Sequence, residues 1–305
     1  MRARIMIVVL FLIFYESIEA QQDAQFTQYM YNTSIINPAY AGSRGNLSAN
    51  LIHRAQWVGL DGSPRTQTLT LHTPLGFKVG LGLSIIRDEI GPAVEDYIAA
   101  DFSYTLTLND NETYFAFGLK AGLYSLNIDF NKLTIFDPTD DPFQTSIQNR
   151  TSPMIGLGGY LYSKNWYVGI SSPNVLTTQH YTNSRISRAS ETLHWYTIAG
   201  YVFELSKKVK FKPATLLKLT KGAPLAVDVS TNFLIHDKIT LGASYRVSVG
   251  VSALVGFQLN DQIMLGYAYD YDTTDLGDFN SGSHEFFLRY ELFKRYRGKI
   301  SPRFF

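Results

Sequence analysis

Seven charged residues stand on the polar side of alternating stretches: Asp101, Lys120, Asp228, Arg246, Asp270, Arg289 and Glu291. Both signs are present, so the groups suit two tasks, pairing with one another inside a closed wall or lining an aqueous path. A second set, Phe136, Phe143, Tyr181, Arg185 and Arg188, falls in two long turn-rich stretches. Rings beside guanidiniums are the composition of a protein-contact surface. Asp137, Asp140 and Asp141 offer hard oxygen donors for Ca²⁺, but no Gly and terminal Glu follow in EF-hand register, and a solvated acidic loop is the simpler reading. Group-transfer chemistry finds no foothold. The chain has no G-x-S-x-G elbow, Walker loop, H-E-x-x-H helix or dinucleotide fingerprint. His53, His72, His194 and His284 are scattered singly, away from metal-ligand spacing. The absence of cysteine removes thiolate nucleophiles, thiolate zinc sites and disulfides. The expectation is a protein without catalytic residues, cofactor or metal, which works by recognition.

The elements that must hold these groups are strands. From Asn46 onward apolar and polar residues alternate over segments of about ten residues, broken by Gly, Asn, Asp, Pro and Ser, which is the period of a pleated strand. About fourteen such segments run to residue 293. One face of the clearest carries Ile98, Ala100, Phe102, Tyr104 and Leu106, and the other Asp101, Ser103 and Thr105. Phe115, Phe117, Leu119, Ala121 and Leu123 oppose Ala116, Gly118, Lys120 and Gly122 in the same way. The connections sort by parity. One set is short: Pro74 to Lys78, Asn109 to Thr113, Ser163 to Asn165, Ser206 to Lys208, His236 to Lys238 and Asn260 to Gln262. The alternate set holds every long one, Arg54 to Arg65, Arg87 to Glu95, Asn127 to Ser152, Ser172 to Leu193 and Asp272 to Gly282, with tight turns near Lys221 to Ala223 and Gly250 to Val251. A soluble sandwich shares the alternation but has no reason to sort its loops. The pattern predicts an all-β transmembrane antiparallel β-barrel of about 14 strands, with short periplasmic turns and long extracellular loops. Pro213 is expected at a bulge or strand end, because it cannot donate to a ladder.

Composition agrees with a lipid-embedded wall. Charged residues are 17% of the 305, against about 25% in soluble domains, and aromatic residues are 14%. A net charge of +1 excludes electrostatic capture of nucleic acid as the main task. The mean hydropathy of -0.06 excludes a bundle of apolar helices, each of which needs roughly 20 apolar residues. Arg2 and Arg4 followed by the apolar run Ile5 to Tyr15 predict a signal peptide over residues 1–20, removed after Ala20. Residues 21–45 then form a segment below or within the lumen, residues 46–293 the barrel in outer-membrane lipid, and residues 294–305 a periplasmic tail ending in Phe304 and Phe305. Phe26, Tyr29, Tyr31, Ile35, Ile36 and Tyr40 favour an ordered plug over a tether, since leaving them in water is costly.

Several strings resemble the PorP/SprF family of outer-membrane proteins of the type IX secretion system. They run almost end to end: Gln25 to Met30, Asn37 to Ser43, Arg54 to Trp57, Gly156 to Gly158, Tyr162 to Gly169, Ser172 to Asn174, Leu241 to Arg246, Leu254 to Gln258, Gly266 to Asp270, Gly282 to Glu285 and Ser301 to Phe305. The resemblance implies a non-enzymatic barrel that supports secretion or cell-surface retention of a client such as a gliding adhesin. Its implied partners are type IX secretion components and a secreted surface protein or its C-terminal targeting region. A small-solute porin or transporter is the alternative that the polar lumen leaves open.

Overall fold

A computed structural model describes residues 26–109, 112–132, 146–176 and 193–292. Fifteen strands follow in chain order: β1 (Leu47–Ala55), β2 (Arg65–Leu75), β3 (Val79–Ile90), β4 (Ala93–Asn109), β5 (Thr113–Ile128), β6 (Ile147–Tyr162), β7 (Trp166–Ser172), β8 (His194–Tyr201), β9 (Phe203–Ser206), β10 (Val209–Thr220), β11 (Ala226–Ile235), β12 (Ile239–Arg246), β13 (Gly250–Gln258), β14 (Ile263–Asp272) and β15 (Ser283–Leu292). Both β8 and β9 pair with β10, so they are two lengths of one stave and the ring has fourteen. Each stave pairs antiparallel with its neighbour in sequence, and β15 pairs with β1 from Leu47↔Leu292 to Ala55↔His284. That seam closes the ring, as lipid requires of a spanning sheet.

The alternation sets what each face meets. Ile98, Phe102, Leu119 and Leu123 point outward and are exposed, while Asp101, Ser103, Ala116 and Lys120 on the same strands are buried inside the ring. Cross-strand register then draws a boundary. Leu51, Leu69, Ile85, Ile98 and Leu123 are successive partners from β1 to β5 on the outward face. One step higher the partners are His53, Gln67, Arg87, Asp96, Ser125 and Thr151. The apolar band below that polar row, from Leu106 to Ile98 on β4, is about 20–25 Å tall once the strand tilt is allowed for. At the short-turn end Tyr201, Phe203, Phe211 and Phe233 stand side by side, with ring centroids 4.4, 6.1 and 4.9 Å apart. Such a girdle marks a membrane–water interface. Leu47 and Leu292 lie at this end, which faces the periplasm by the rule that such barrels turn tightly there.

Three local expectations change. Arg87 to Glu95 is not a long loop: Arg87↔Asp96, Glu89↔Val94 and Ile90↔Ala93 continue the ladder to a tight turn at Gly91 (φ 55°) and Pro92. Polar residues read as loop are strand standing above the bilayer, where water satisfies the side chains and the neighbour satisfies the backbone. The tight turn expected at Gly250 to Val251 lies at Val247 to Val249, around Ser248 with φ 60°, and both expected residues belong to β13. Pro213 sits inside β10, between the residues that pair with β8 and those that pair with β9. The neighbouring stave is interrupted there, and the missing N–H of proline falls beside that break.

Residues 1–20 with the expected signal peptide, and the tail 294–305, lie outside the described residues. So do Asp137, Asp140 and Asp141.

Candidate functional site

The hydrophobic core lies inside the ring, where the segment that precedes β1 packs against inward wall residues such as Ile52, Tyr160 and Phe287. From Phe26 to Asn46 every residue is buried. Two 3-10 turns, Thr33–Ile35 and Pro38–Tyr40, fold this stretch upon itself. Asn37 starts the second: its side-chain oxygen accepts from the Ala39 N–H at 2.9 Å, and Pro38 at the first position gives up an N–H that has no use there. The Asn37 amide also donates to the Gly159 carbonyl of β6 at 3.1 Å. Tyr31 packs on Phe287, with centroids 4.7 Å apart, and Tyr40 meets His72 and Tyr160 edge-on at 5.6 and 5.5 Å.

The wall is shaped to receive this plug. A Cβ on Gly118 would stand 2.1 Å from the Ala39 nitrogen, and one on Gly80 would stand 2.0 Å from the Ala41 carbonyl oxygen. Both obstacles are backbone, so only glycine admits the chain this close. Ser103 completes the seat by donating to the same Ala41 carbonyl at 2.7 Å. A cleft of about 80 Å³ remains beside the plug, between Phe26, Ile35 and Ile36 and wall residues that include Tyr97, Met154 and Tyr196.

At its outer end the plug is latched by charge. The Glu285 carboxylate accepts from the backbone N–H groups of both Thr27 (2.9 Å) and Gln28 (2.8 Å). Arg54 bridges Glu285 at 3.0 Å and Asp270 at 2.6 Å, and its guanidinium donates to the Thr27 hydroxyl at 2.9 Å. Gln28 adds a side-chain bond to the Glu285 carbonyl at 3.1 Å. Arg54 and Glu285 are 2% and 0% exposed. A charge buried so deeply is tolerable only when paired and hydrogen-bonded, and here one arginine joins two barrel strands and the plug.

All seven residues expected in the lumen face inward. Lys120 pairs with Asp101 at 2.8 Å across β4 and β5, and Arg246 with Asp228 at 2.9 Å across β11 and β12. Asp270 belongs to the latch. Arg289 lies 4.0 Å from Glu291, which also pairs with Arg44 of the plug. Sequence reasoning left Arg54, Glu285 and Arg44 out of the lumen set. The first two share inward parity with Asn50 and Ile52 and with Phe287 and Arg289, a signal hidden for Arg54 by reading it as the start of a loop. The contact set Phe136, Phe143, Tyr181, Arg185 and Arg188 lies outside the described residues. Among the described residues no three His, Asp or Glu side chains are grouped as metal ligands.

The family model for type IX secretion system membrane protein PorP/SprF matches residues 18–290. A comparison with curated proteins found no match. Solved structures similar to this chain include the outer membrane protein Omp33 of Acinetobacter baumannii, at 9% identity and TM-score 0.47, covering 81% of this chain and 99% of the other. The CymD monoaromatic hydrocarbon channel aligns at 13% identity and TM-score 0.49, covering 88% and 94%. A KdgM porin aligns at 9% and 0.37, covering 81% and 99%.

Proposed function

Because the chain belongs to the PorP/SprF family of type IX secretion system membrane proteins, we propose that it supports secretion or surface retention of one client protein by recognition and not by chemistry. The observation that carries this reading is the filled lumen: buried side chains and a latched plug occupy the path that a solute porin keeps open. The strings by which the chain resembles the family include Gln28, Arg54, Asp270 and Glu285, which meet at the latch. A ring whose interior is occupied by the plug offers its outer rim for contact. There the wall from β2 to β6 stands above the apolar band. Aromatic and arginine anchors in the two long connections, Phe136, Phe143, Tyr181, Arg185 and Arg188, supply the kind of contact that dominates protein interfaces. The client's C-terminal targeting region and fellow secretion components are the partners this reading assigns, in the outer membrane, after removal of the signal peptide.

Affinity purification from detergent-solubilised outer membranes tests it. The intact protein is expected to recover a large secreted protein, and replacement of the five anchors by alanine to lose it while the barrel still folds. Saturable solute flux through reconstituted protein, with no client recovered, overturns the proposal.

A further inference from the structure

Toward the periplasmic end of the lumen, positive charge gathers around Glu291. Arg44 of the plug and Arg289 of β15 both approach the carboxylate of Glu291, so two guanidiniums share it. The same two arginines act electrostatically on Lys212 of β10. Each of these four side chains is buried. Around them polar atoms lack protein partners: Arg289 Nη1, His72 Nδ1, the Ser43 and Ser48 hydroxyls, and the amide nitrogen and oxygen of Asn46. Register places them together. Ser48 stands between Glu291 on one side and His72 on the other, and its neighbour on the same face, Asn50, stands between Arg289 and Thr70.

Buried donors without partners call for a guest. Water satisfies hydroxyls and amides, but it leaves the excess charge uncompensated in a medium where an unpaired ion is expensive. We propose that the corner formed by β15, β1, β2 and the end of the plug binds a small inorganic anion of the size of chloride, with Arg289 Nη1 as its principal donor. The anion neutralises the second guanidinium and joins the plug to the wall at the periplasmic end, as the Arg54 latch joins them at the outer end. This site stands apart from whatever the rim recognises.

Bromide is the probe. Crystals of the full mature protein grown with sodium bromide in place of chloride are expected to show an anomalous peak within about 3.5 Å of Arg289 Nη1, the range of a hydrogen bond to a large anion. Density for waters alone at that position overturns the proposal. In detergent, bromide at a hundredfold excess over its Kd is expected to raise the melting temperature by about 5 °C relative to equal ionic strength of sodium gluconate. Arg289→Gln keeps donors but drops the charge, and its melting temperature is expected to ignore the anion. An equal response in wild type and variant, or no response in wild type, refutes the site. If the variant fails to fold, the wild-type comparison and the anomalous map still decide.

Discussion

Glu285→Gln tests whether the plug is held by its carboxylate. Glu285 accepts two adjacent backbone N–H groups of the plug and pairs with Arg54, all away from water. An amide in its place accepts one of those bonds and opposes the other with its own N–H₂. Breaking a buried pair by removing one partner costs about 3–5 kcal/mol, much of it from groups left unsatisfied. Taking about 4 kcal/mol as the loss to the docked state, and tenfold per 1.4 kcal/mol, the detached population rises about a thousandfold. The chain has no cysteine, so one introduced thiol reports plug release without background. Ser34→Cys is suitable because Ser34 is buried in the plug and the exchange barely changes volume. The thiol-labelling rate of the folded protein is then measured with and without Glu285→Gln, in the regime where reclosing outpaces labelling. Glu89→Gln, on the exposed part of the wall where its pair with Arg87 meets water, serves as control. The expected result is an increase of about three orders of magnitude for Glu285→Gln and none for the control. An acceleration below tenfold refutes the latch as the plug's anchor.

Two further substitutions probe the seat and the wall. Gly118→Ala is expected to displace the Asn37 to Tyr40 turn and to speed labelling of the same introduced thiol at least tenfold, because the new Cβ meets backbone at 2.1 Å; Gly159→Ala, with its nearest neighbour 3.4 Å away, leaves the rate unchanged. Lys120→Met is expected to lower the urea stability of the detergent-folded barrel by about 4 kcal/mol, since it strands a buried Asp101, and Lys120→Met with Asp101→Asn to recover most of that loss. A double variant no more stable than the single one counts against the pairing.

The sequence alone determined the wall. Period-two alternation needs only neighbours in the chain, so the outward faces of β4, β5, β14 and β15 and the inward parity of Asp101, Lys120 and Arg289 were readable from residue order. Parity of loop lengths likewise fixed the direction of the strands. The outer edge of the strands was not readable, because a strand above the bilayer loses its apolar face while keeping its ladder, and Arg87 to Glu95 then looks like a loop. Only the tertiary structure decided which charges meet. Arg54 and Asp270 are separated by most of the chain, and ring closure through the β15–β1 seam is what sets them 2.6 Å apart. The same closure buries a Tyr- and Asn-rich segment ahead of β1 as part of the core. Its fit depends on glycines whose need to be small is set by plug backbone passing against the inner face of the wall, a distance that no local pattern encodes.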